Sequence, residues 1–293
     1  MPIHVVVTGA AGFVGGYLAR FLANNAFAVT AVSRRRVEES GSVPNLHWRQ
    51  ADLGAADALP PRFDALLHCA AEIPARCPDP QRLYESNLQA ADNVFTQALA
   101  AGARSVVFTS SMSVYGTIDV SVVSEDTPPR DPDPYGRAKR DGEDLLEACV
   151  SRGLESGLSI RLPGTVGKGS HHNFLSDALA RALRGDEVRI NNPDAFFNNI
   201  VYVGDLARFL AAWIADPRSG YALTNLAARE PMTIRETMAL LFRCSGTRER
   251  LNVATGGKRP FLISLDRAEA LGYRPATVRA SVEAFVRDSM AAT

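Results

Sequence analysis

The first half of the chain alternates short, continuous apolar runs with longer segments in which apolar residues recur at helical spacing. Continuous apolar runs are typical of strands that are buried on both faces of a parallel sheet. They predict strands at residues 3–9, 27–33, 46–53, 64–71, 105–111 and 158–163. The helical segments predict helices at residues 13–25, 81–103 and 134–153, the last with Asp133 as its N-cap. The pattern therefore predicts an α/β fold, with helices on both faces of a parallel sheet.

The pattern changes after residue 164, where glycine, asparagine and histidine cluster up to residue 173. Beyond this cluster, helices are predicted at residues 174–185, 204–216, 233–246 and 281–291, mixed with short strands. No internal repeat, low-complexity segment or clean linker separates the two halves. We interpret the second half as an elaboration on the sheet.

Composition narrows the class of protein. The 293 residues are 46% apolar and 22% charged, which suffices for a normal globular core. The formal net charge of zero argues against a general nucleic-acid binder. The four cysteines form no CxxC pair and have no metal-like spacing, so idle thiols in a reducing compartment are favoured. No signal peptide or membrane-spanning run is recognised. We expect a soluble cytoplasmic protein without a metal, a membrane or a nucleic-acid partner.

A glycine-rich loop follows the first predicted strand directly. Gly9, Gly12 and Gly15 are spaced three residues apart and lead into the first predicted helix. Small residues at such a loop let the backbone approach a pyrophosphate, and the helix N-terminus supplies N–H groups and a positive dipole. The spacing is GxxGxxG instead of GxGxxG, but the strand–loop–helix context predicts a dinucleotide site.

The end of the second predicted strand indicates which dinucleotide binds. An acidic residue there would accept a hydrogen bond from a ribose 2′-hydroxyl, but this chain has SRRR at residues 33–36. Ser33, Arg34 and Arg35 suit a 2′-phosphate, because a guanidinium offers a charged, forked set of donors. The alternative is a solvated basic turn. The sequence favours NADP over NAD.

A proton-transfer pair is predicted on the third helix. Tyr135 and Lys139 are four residues apart and therefore share one helix face. An ammonium nearby is expected to stabilise the phenolate and to lower the tyrosine pKa towards neutrality. A serine at the end of the preceding strand, within TSSMSVYG (109–116), would hold the substrate oxygen.

Together these motifs resemble the extended short-chain dehydrogenase/reductases of the NAD(P)-dependent sugar epimerase/dehydratase type. TGAAGFVG is similar to the family's cofactor loop, and SSMSVYG to the strand end that carries its catalytic Ser or Thr, here Ser111. VYVGDLARFL (201–210) and SLDRAEALGYRP (264–275) also match family elements. The resemblance implies that Tyr135 handles the proton, that Lys139 holds the nicotinamide ribose, and that Ser111 polarises the substrate oxygen.

The resemblance extends to the loops that line the cofactor. ADL (51–53) is similar to the motif whose aspartate contacts the adenine, HCAA (68–71) to a cofactor-lining strand end, and Asn87 to an asparagine near the active site. The cofactor contacts predicted in this way, with Ser33 and the arginines included, are Gly9, Gly12, Phe13, Val14, Gly15, Ser33, Arg34, Arg35, Asp52, Leu53, Ala70, Ala71, Asn87, Tyr135, Lys139 and Pro163.

The resemblance also implies the domain organisation. A Rossmann-type, doubly wound parallel sheet would occupy residues 1–164 and receive later segments such as 200–230. Residues 165–293 would form mainly a smaller C-terminal substrate-binding lobe. Helices 81–103 and 134–153 would pair with those of a second copy, which predicts a homodimer.

The chain departs from the family pattern at several positions. Family dehydratases carry an acidic residue just after the catalytic Ser/Thr, where this chain has Met112 and Ser113, so 4,6-dehydration is not expected. Gly164 replaces an asparagine of nucleotide-sugar members. Asn198 and Asn199 stand where those members have an arginine that grips the diphosphate. Either other residues hold a diphosphate, with Arg189 and Arg76 as candidates, or the substrate is not a nucleotide sugar.

Two further pairs have two interpretations each, and a third pair has one. His171 and His172 are either an extra acid or base at the substrate cleft or solvent-exposed loop residues, and the second is favoured. Phe196 and Phe197 wall an apolar substrate pocket or belong to the core. Trp48 and Trp213 are expected in the core.

Three hypotheses follow for function. The first is an NADP-dependent reductase of a keto group on a sugar-like or nucleotide-linked substrate, because reductases draw on reduced NADP. The alternative within enzymes is a nucleotide-sugar 4-epimerase with tightly bound NAD. The alternative of another class is a non-catalytic dinucleotide sensor, which the presence of both Tyr135 and Lys139 disfavours.

Overall fold

A computed structural model describes residues 2–37, 43–257 and 259–291. The chain forms two compact units. The first comprises Met1–Thr117, Pro128–Arg161 and Ala207–Thr224, and the second Ile118–Thr127, Leu162–Leu206 and Asn225–Thr293. Residues 118–127 therefore belong to the second unit, although they lie inside the range that the sequence analysis assigned to the Rossmann domain.

The strands, numbered in chain order, are β1 (His4–Thr8), β2 (Ala28–Ser33), β3 (Leu46–Gln50), β4 (Ala65–His68), β5 (Ser105–Ser111), β6 (Val122–Val123), β7 (Ser156–Leu162), β8 (Gly164–Val166), β9 (Val188–Ile190), β10 (Phe196–Phe197), β11 (Ile200–Tyr202), β12 (Gly220–Asn225), β13 (Met232–Thr233), β14 (Leu251–Val253) and β15 (Leu262–Ile263). The helices are α1 (Phe13–Asn24), α2 (Pro80–Ala100), α3 (Pro134–Ser151), α4 (Phe174–Arg184), α5 (Val203–Ala215), α6 (Ile234–Ser245), α7 (Asp266–Ala270) and α8 (Val278–Met290). A 3₁₀ turn, Met112–Tyr115, follows β5.

The first unit is built on a seven-stranded sheet with the order β12-β7-β5-β4-β1-β2-β3. β1 pairs in parallel with β2 on one side and with β4 on the other, and Val5 is opposite both Val29 and Ala65. Strand order reverses at β1, which is the switch point of a doubly wound sheet. The predicted Rossmann-type α/β fold is confirmed, and the carboxyl ends of β1, β2, β4 and β5 meet at one edge.

Buried apolar side chains hold the helices on this sheet. Val6 of β1, Leu66 of β4 and Val106 of β5 are fully buried, and they belong to one cluster with Phe95 of α2 and Leu146 of α3. Full burial of each such side chain contributes about 1.5–3 kcal/mol of transfer free energy. The continuous apolar runs in the sequence thus reflect strands that are covered by helices.

The helices that carry site residues begin at well-defined caps. The Asp79 side chain accepts from the Arg82 and Gln81 N–H groups at the start of α2. Asp133 accepts from Gly136 N at 2.7 Å at the start of α3, as predicted, with Pro134 in the first turn.

The second unit has its own core. Leu175 and Leu179 of α4, Leu241 of α6 and Phe285 of α8 are buried together in it. Its strands pair only two by two among the described residues, in the combinations β10-β13, β11-β8, β14-β9 and β15-β6. Strands of two or three residues carry no periodic signal, so the sequence did not locate them.

Two predicted strands end earlier than expected. β3 stops at Gln50 instead of residue 53, and β4 stops at His68 instead of residue 71. In both cases the chain leaves the sheet at its carboxyl edge and enters a loop of the candidate site. Trp213 is buried, as predicted, whereas Trp48 on β3 is only half-buried because β3 lies at the sheet edge.

No helix within the described ranges is both long enough and apolar enough to cross a bilayer.

Candidate active site

The loop after β1 forms a tight cradle that only glycine fits. Gly9 has a φ of 67°, and a Cβ there would lie 2.6 Å from the Ala70 main-chain nitrogen. A Cβ on Gly15 would lie 2.5 Å from the Gly9 carbonyl oxygen. Gly12 is the N-cap of α1, and no side chain in the described part of the protein caps that terminus. The loop therefore presents backbone N–H groups and space to an anion, which fits the pyrophosphate of a dinucleotide.

The loops after β1 and β4 are held together beneath this cradle. Thr8 Oγ1 and His68 Nδ1 lie 2.8 Å apart, and the His68 ring contacts Phe95 and Phe108. Burial, together with the Lys139 charge, lowers the pKa of His68 to about 3. His68 is therefore a neutral structural residue that fixes the direction in which Ala70 and Ala71 leave the sheet.

The predicted adenine loop is held by side chains of α2. Asn93 Nδ2 donates to the carbonyl oxygens of Leu53 and Ala55, the latter at 2.8 Å. Gln97 Nε2 donates to Ala55 O at 3.1 Å. Asp52 accepts from Gly54 N at 2.9 Å and is exposed at the loop tip. The sequence analysis did not identify Asn93 or Gln97. Amide side chains on the inner face of a helix could have indicated residues that bind the main chain of a neighbouring loop.

The basic segment after β2 is not a row of free arginines. Ser33 is buried, and its hydroxyl accepts from Arg35 N at 3.1 Å. Arg34 Nη2 lies 2.8 Å from Glu72 Oε1, in an ion pair that the sequence analysis did not foresee. Asn87, predicted at the active site, hydrogen-bonds the main chain of Glu72 at both its N–H and its carbonyl. The Arg34 guanidinium, which the sequence analysis expected to bind a 2′-phosphate, thus has the Glu72 carboxylate as its partner.

The catalytic candidates are brought together at the carboxyl end of β5. Ser111 is the last residue of β5, and its hydroxyl accepts from Ser113 N at 3.1 Å. Tyr135 lies in the first turn of α3. Gly136, the next residue, allows α3 to approach the 3₁₀ turn, because a Cβ there would collide with the Ser113 carbonyl. The close approach of Gly136 to Ser113 thus places Tyr135 beside the 3₁₀ turn that follows Ser111.

Lys139 is anchored to the same strand. Its ammonium donates to Thr109 O at 2.8 Å and lies 4.6 Å from the Phe108 ring centroid. It lies 5.7 Å from the Tyr135 ring centroid. The lysine is therefore buried behind the tyrosine, in the arrangement that the spacing of four residues predicted.

The electrostatics differ from the expectation in one respect. Burial raises the pKa of Tyr135 to about 12, and the Asp133 charge adds to this. Burial lowers the pKa of Lys139 to about 8, although Cys69 and Glu143 oppose that effect. The predicted lowering of the tyrosine pKa was wrong for the protein alone, because burial and the Asp133 charge both raise it. Tyr135 consequently holds its proton at neutral pH.

A buried ionic network lies one helical turn beyond Lys139. Arg161 donates to both carboxylate oxygens of Glu143, at 2.9 Å from Nε and 2.6 Å from Nη2. Its Nη1 donates to Tyr115 Oη at 2.9 Å, and Ser110 Oγ donates to Glu143 at 2.5 Å. Ser110 and Tyr115 are thereby committed to structure, which supports the choice of Ser111 and Tyr135. The sequence analysis did not identify Glu143, although it follows Lys139 by four residues, as Lys139 follows Tyr135.

The second unit explains one departure from the family pattern. The Asn198 side chain donates to Ile263 O and accepts from Ile263 N, both at 2.9 Å. Asn198 is buried and binds β15. It therefore does not offer its amide to a diphosphate in place of the family's arginine. Asn199 is half-buried beside it.

A cavity of about 330 Å³ opens within the second unit. Its lining combines an aromatic ring, two arginines and a carboxylate, from Phe174, Asp177, Ala178, Arg181, Val188 and Arg189. Phe197 is half-buried and meets the Phe174 ring edge-on at 5.9 Å between centroids, whereas Phe196 is exposed. Arg189, one of the two arginines proposed for a diphosphate, thus lines a pocket, while Arg76 is an exposed residue of the first unit.

The remaining candidates are loop residues of the second unit. His171 and His172 are exposed, and their rings meet edge-on at 4.8 Å. Pro163 lies half-buried between β7 and β8. Among the described residues, no group of three His, Cys, Asp or Glu side chains is arranged to hold a metal.

Known proteins of one family resemble this chain in sequence and in fold. The model of the NAD dependent epimerase/dehydratase family matches residues 5–227. The UDP-glucose 4-epimerase of Azospirillum brasilense is 30% identical, over 93% of this chain and 87% of its own. The structure of MoeE5 in complex with UDP-glucose and NAD is 27% identical and superimposes with a TM-score of 0.82 over 99% of each chain. The putative UDP-arabinose 4-epimerase 2 of Arabidopsis thaliana is 27% identical to this chain. The matched region spans 51% of that relative's length.

Proposed function

Because the chain belongs to the NAD-dependent epimerase/dehydratase family, we propose that it is a nucleotide-sugar 4-epimerase that keeps NAD bound throughout its cycle. The observation that carries this proposal is the ion pair between Arg34 and Glu72 at 2.8 Å. The hypothesis of an NADP-dependent reductase depended on arginines available to a 2′-phosphate. With Arg34 paired, that argument weakens, and the NAD that accompanies UDP-glucose in MoeE5 supports the alternative.

The residues present fit the cofactor. The glycine cradle has no room for side chains at Gly9 or Gly15, and the α1 N-terminus faces the same loop. NAD, when bound, would accept a hydride from C4 of the sugar and return it to the opposite face. Lys139, anchored at Thr109, would hold the nicotinamide ribose.

The proton chemistry then falls to Tyr135 and Ser111. Tyr135 must first release its own proton to solvent; as the phenolate, its Oη then takes the proton of the sugar 4-hydroxyl during oxidation and returns it when the ketone is reduced. Loss of its own proton is costly because burial raises the pKa of Tyr135 to about 12. The Lys139 ammonium, 5.7 Å from the ring centroid, offsets part of this cost. The Ser111 hydroxyl donates a hydrogen bond to the same substrate oxygen.

We further propose that the cavity of the second unit binds the nucleotide part. Arg181 and Arg189 supply two cations for phosphate oxygens, and the Phe174 ring supplies a stacking surface for a base. Arg189 was one of the two arginines named as candidates for a diphosphate, whereas the Asn198 amide is engaged by Ile263. The absence of a carboxylate at Met112 and Ser113 supports epimerisation over dehydration.

The NADP-dependent reductase remains a second candidate because Arg35 and Arg36 are exposed after β2. Purified protein should distinguish the two functions. An epimerase releases about one equivalent of NAD on denaturation and interconverts UDP-glucose and UDP-galactose, or another 4-epimer pair, without net consumption of dinucleotide. Release of NADP, or stoichiometric oxidation of added NADPH by a 4-keto sugar, would favour the reductase.

A homodimer remains a prediction. The exposed large apolar side chains of the described residues lie outside α2 and α3. Such side chains therefore do not mark an interface on these helices, and light scattering of the purified chain would test whether it dimerises.

A further inference from the structure

Glu72 and Arg34 reach each other across the carboxyl edge of the central sheet. Arg34 directly follows β2, and Glu72 lies in the loop after β4. β1 lies between these two strands in the sheet, and its carboxyl end leads into the glycine cradle. An ion pair between the two loops therefore spans the edge at which the cradle begins.

Glu72 is more tightly held by its surroundings than Arg34 is. Asn87 fixes the main chain of Glu72 through hydrogen bonds of 2.9 Å to its N–H and 3.0 Å from Asn87 Nδ2 to its carbonyl. Asn87 itself donates to Leu83 O within α2 at 2.8 Å. The Glu72 side chain is 25% exposed, whereas that of Arg34 is 65% exposed. The carboxylate is thus the fixed member, and the guanidinium is the one that can be displaced.

The end of β2 lacks the acidic residue that normally accepts a hydrogen bond from the ribose. Ser33 occupies the position, and its hydroxyl is engaged by Arg35 N. A carboxylate is nevertheless present at this edge, since Glu72 supplies one from the loop after β4. We propose that Glu72 determines the choice of dinucleotide: it neutralises Arg34, accepts a hydrogen bond from an unphosphorylated adenosine ribose, and disfavours a 2′-phosphate. This inference rests on the proposed NAD-dependent function.

The charges give the direction of the effect. A 2′-phosphate carries close to two negative charges and would meet the Glu72 carboxylate beside Arg34, whose charge is already compensated. Removal of the Glu72 charge would leave Arg34 without this carboxylate partner, next to the exposed Arg35 and Arg36, and so favour that phosphate. Because Arg34 is largely exposed, the preference should weaken as salt screens these charges.

The test measures binding of NAD and NADP to the chain by calorimetry, after bound dinucleotide has been removed, in wild type and Glu72→Gln. Glutamine keeps the size of the side chain, and the hydrogen bonds of Asn87 involve only the main chain of residue 72, so the loop should keep its shape. We expect Glu72→Gln to move the ratio of the two dissociation constants towards NADP by roughly 10-fold or more at low salt. A further Arg34→Gln substitution should remove most of that gain.

Glu147→Gln is the matched control, since it removes one carboxylate from the exposed face of α3 and should leave the ratio unchanged. A ratio that stays within about twofold of wild type in Glu72→Gln would overturn the inference. An assay of 4-epimer interconversion on the same wild-type sample separates the two proposals. If the wild type interconverts 4-epimers but Glu72→Gln leaves the ratio of the dissociation constants unchanged, only the role of Glu72 is refuted. If the ratio changes but the wild type does not interconvert 4-epimers, only the epimerase proposal is refuted.

Discussion

Lys139 Nζ donates a hydrogen bond of 2.8 Å to Thr109 O, which ties helix α3 to the strand that ends at Ser111. The bond is buried, and it holds the ammonium behind Tyr135. The four-residue spacing places Tyr135 and Lys139 on one helix face, and the hydrogen bond to β5 then fixes the position of the ammonium relative to the tyrosine ring.

Tyr135→Phe should reduce epimerisation by about 10³-fold or more and leave NAD affinity within a factor of about two, because only the proton-carrying hydroxyl is removed. Tyr115→Phe is the matched control. It removes a buried hydroxyl that accepts from Arg161 and should cost about 1–3 kcal/mol of unfolding free energy while turnover stays within several-fold. Turnover that survives in Tyr135→Phe and disappears in Tyr115→Phe would reverse our assignment of the two tyrosines.

Lys139 should make the stability of the protein rise with pH in alkaline solution. Burial lowers its pKa to about 8 from the ordinary value of 10.5. Between these values Lys139 binds more protons in the unfolded chain than in the folded chain, so its contribution to the free energy of unfolding increases as pH rises through this window. Lys139→Met should flatten the dependence, by on the order of 2 kcal/mol between pH 8 and 10.5. Urea unfolding at several pH values measures it, and an equal slope in both proteins would contradict the expectation.

Glu143→Gln should destabilise the protein by about 3–5 kcal/mol, because it leaves the Arg161 guanidinium buried without its carboxylate. The double variant Glu143→Leu with Arg161→Met removes both charges and should recover much of that loss. Denaturant unfolding of the single and double variants completes the comparison. A double variant that is less stable than Glu143→Gln would show that the network contributes more than the pairing of two charges.

Gly15→Ala should weaken NAD binding by roughly 10-fold or more, since the added Cβ would lie 2.5 Å from the Gly9 carbonyl and displace the cradle. Gly54→Ala provides the control in a neighbouring loop. A Cβ at that position meets Asp52 Oδ1 at 3.5 Å, an ordinary contact, so affinity should change little. Fluorescence titration with NAD measures both variants, and equal affinities would mean that the cradle tolerates a side chain.

Arg181→Ala should lower the affinity for UDP by about 10-fold, because a charge-assisted contact to phosphate contributes about 1.5–3 kcal/mol. Asn198→Ala is expected to behave differently. It breaks two buried hydrogen bonds to Ile263 and should lower stability rather than act selectively on UDP. Calorimetry with UDP, alongside thermal unfolding, distinguishes binding from folding. An Arg181→Ala protein that binds UDP like the wild type would remove the pocket from the proposal.

The first unit could be predicted from sequence in most respects. β5 and the start of α3 were located to the residue, and the cap at Asp133 was correct. Long apolar runs and strong capping residues are local signals, so they survive without knowledge of the partners they pack against. The short strands of the second unit could not be located because each is defined only by a partner distant in the chain, as Leu251 is paired with Val188.

The glycine cradle, the spacing of Tyr135 and Lys139 and the parallel sheet with helices on both faces could be predicted without coordinates, since each depends on neighbours within a few residues or on one periodic pattern. The folded chain was needed to show that Arg34 has Glu72 as its partner, that Asn198 binds β15, and that burial raises the pKa of Tyr135. These properties depend on which loops meet at the sheet edge and on how much water they exclude. Charge and solvation are set by residues that come together only when the chain has folded.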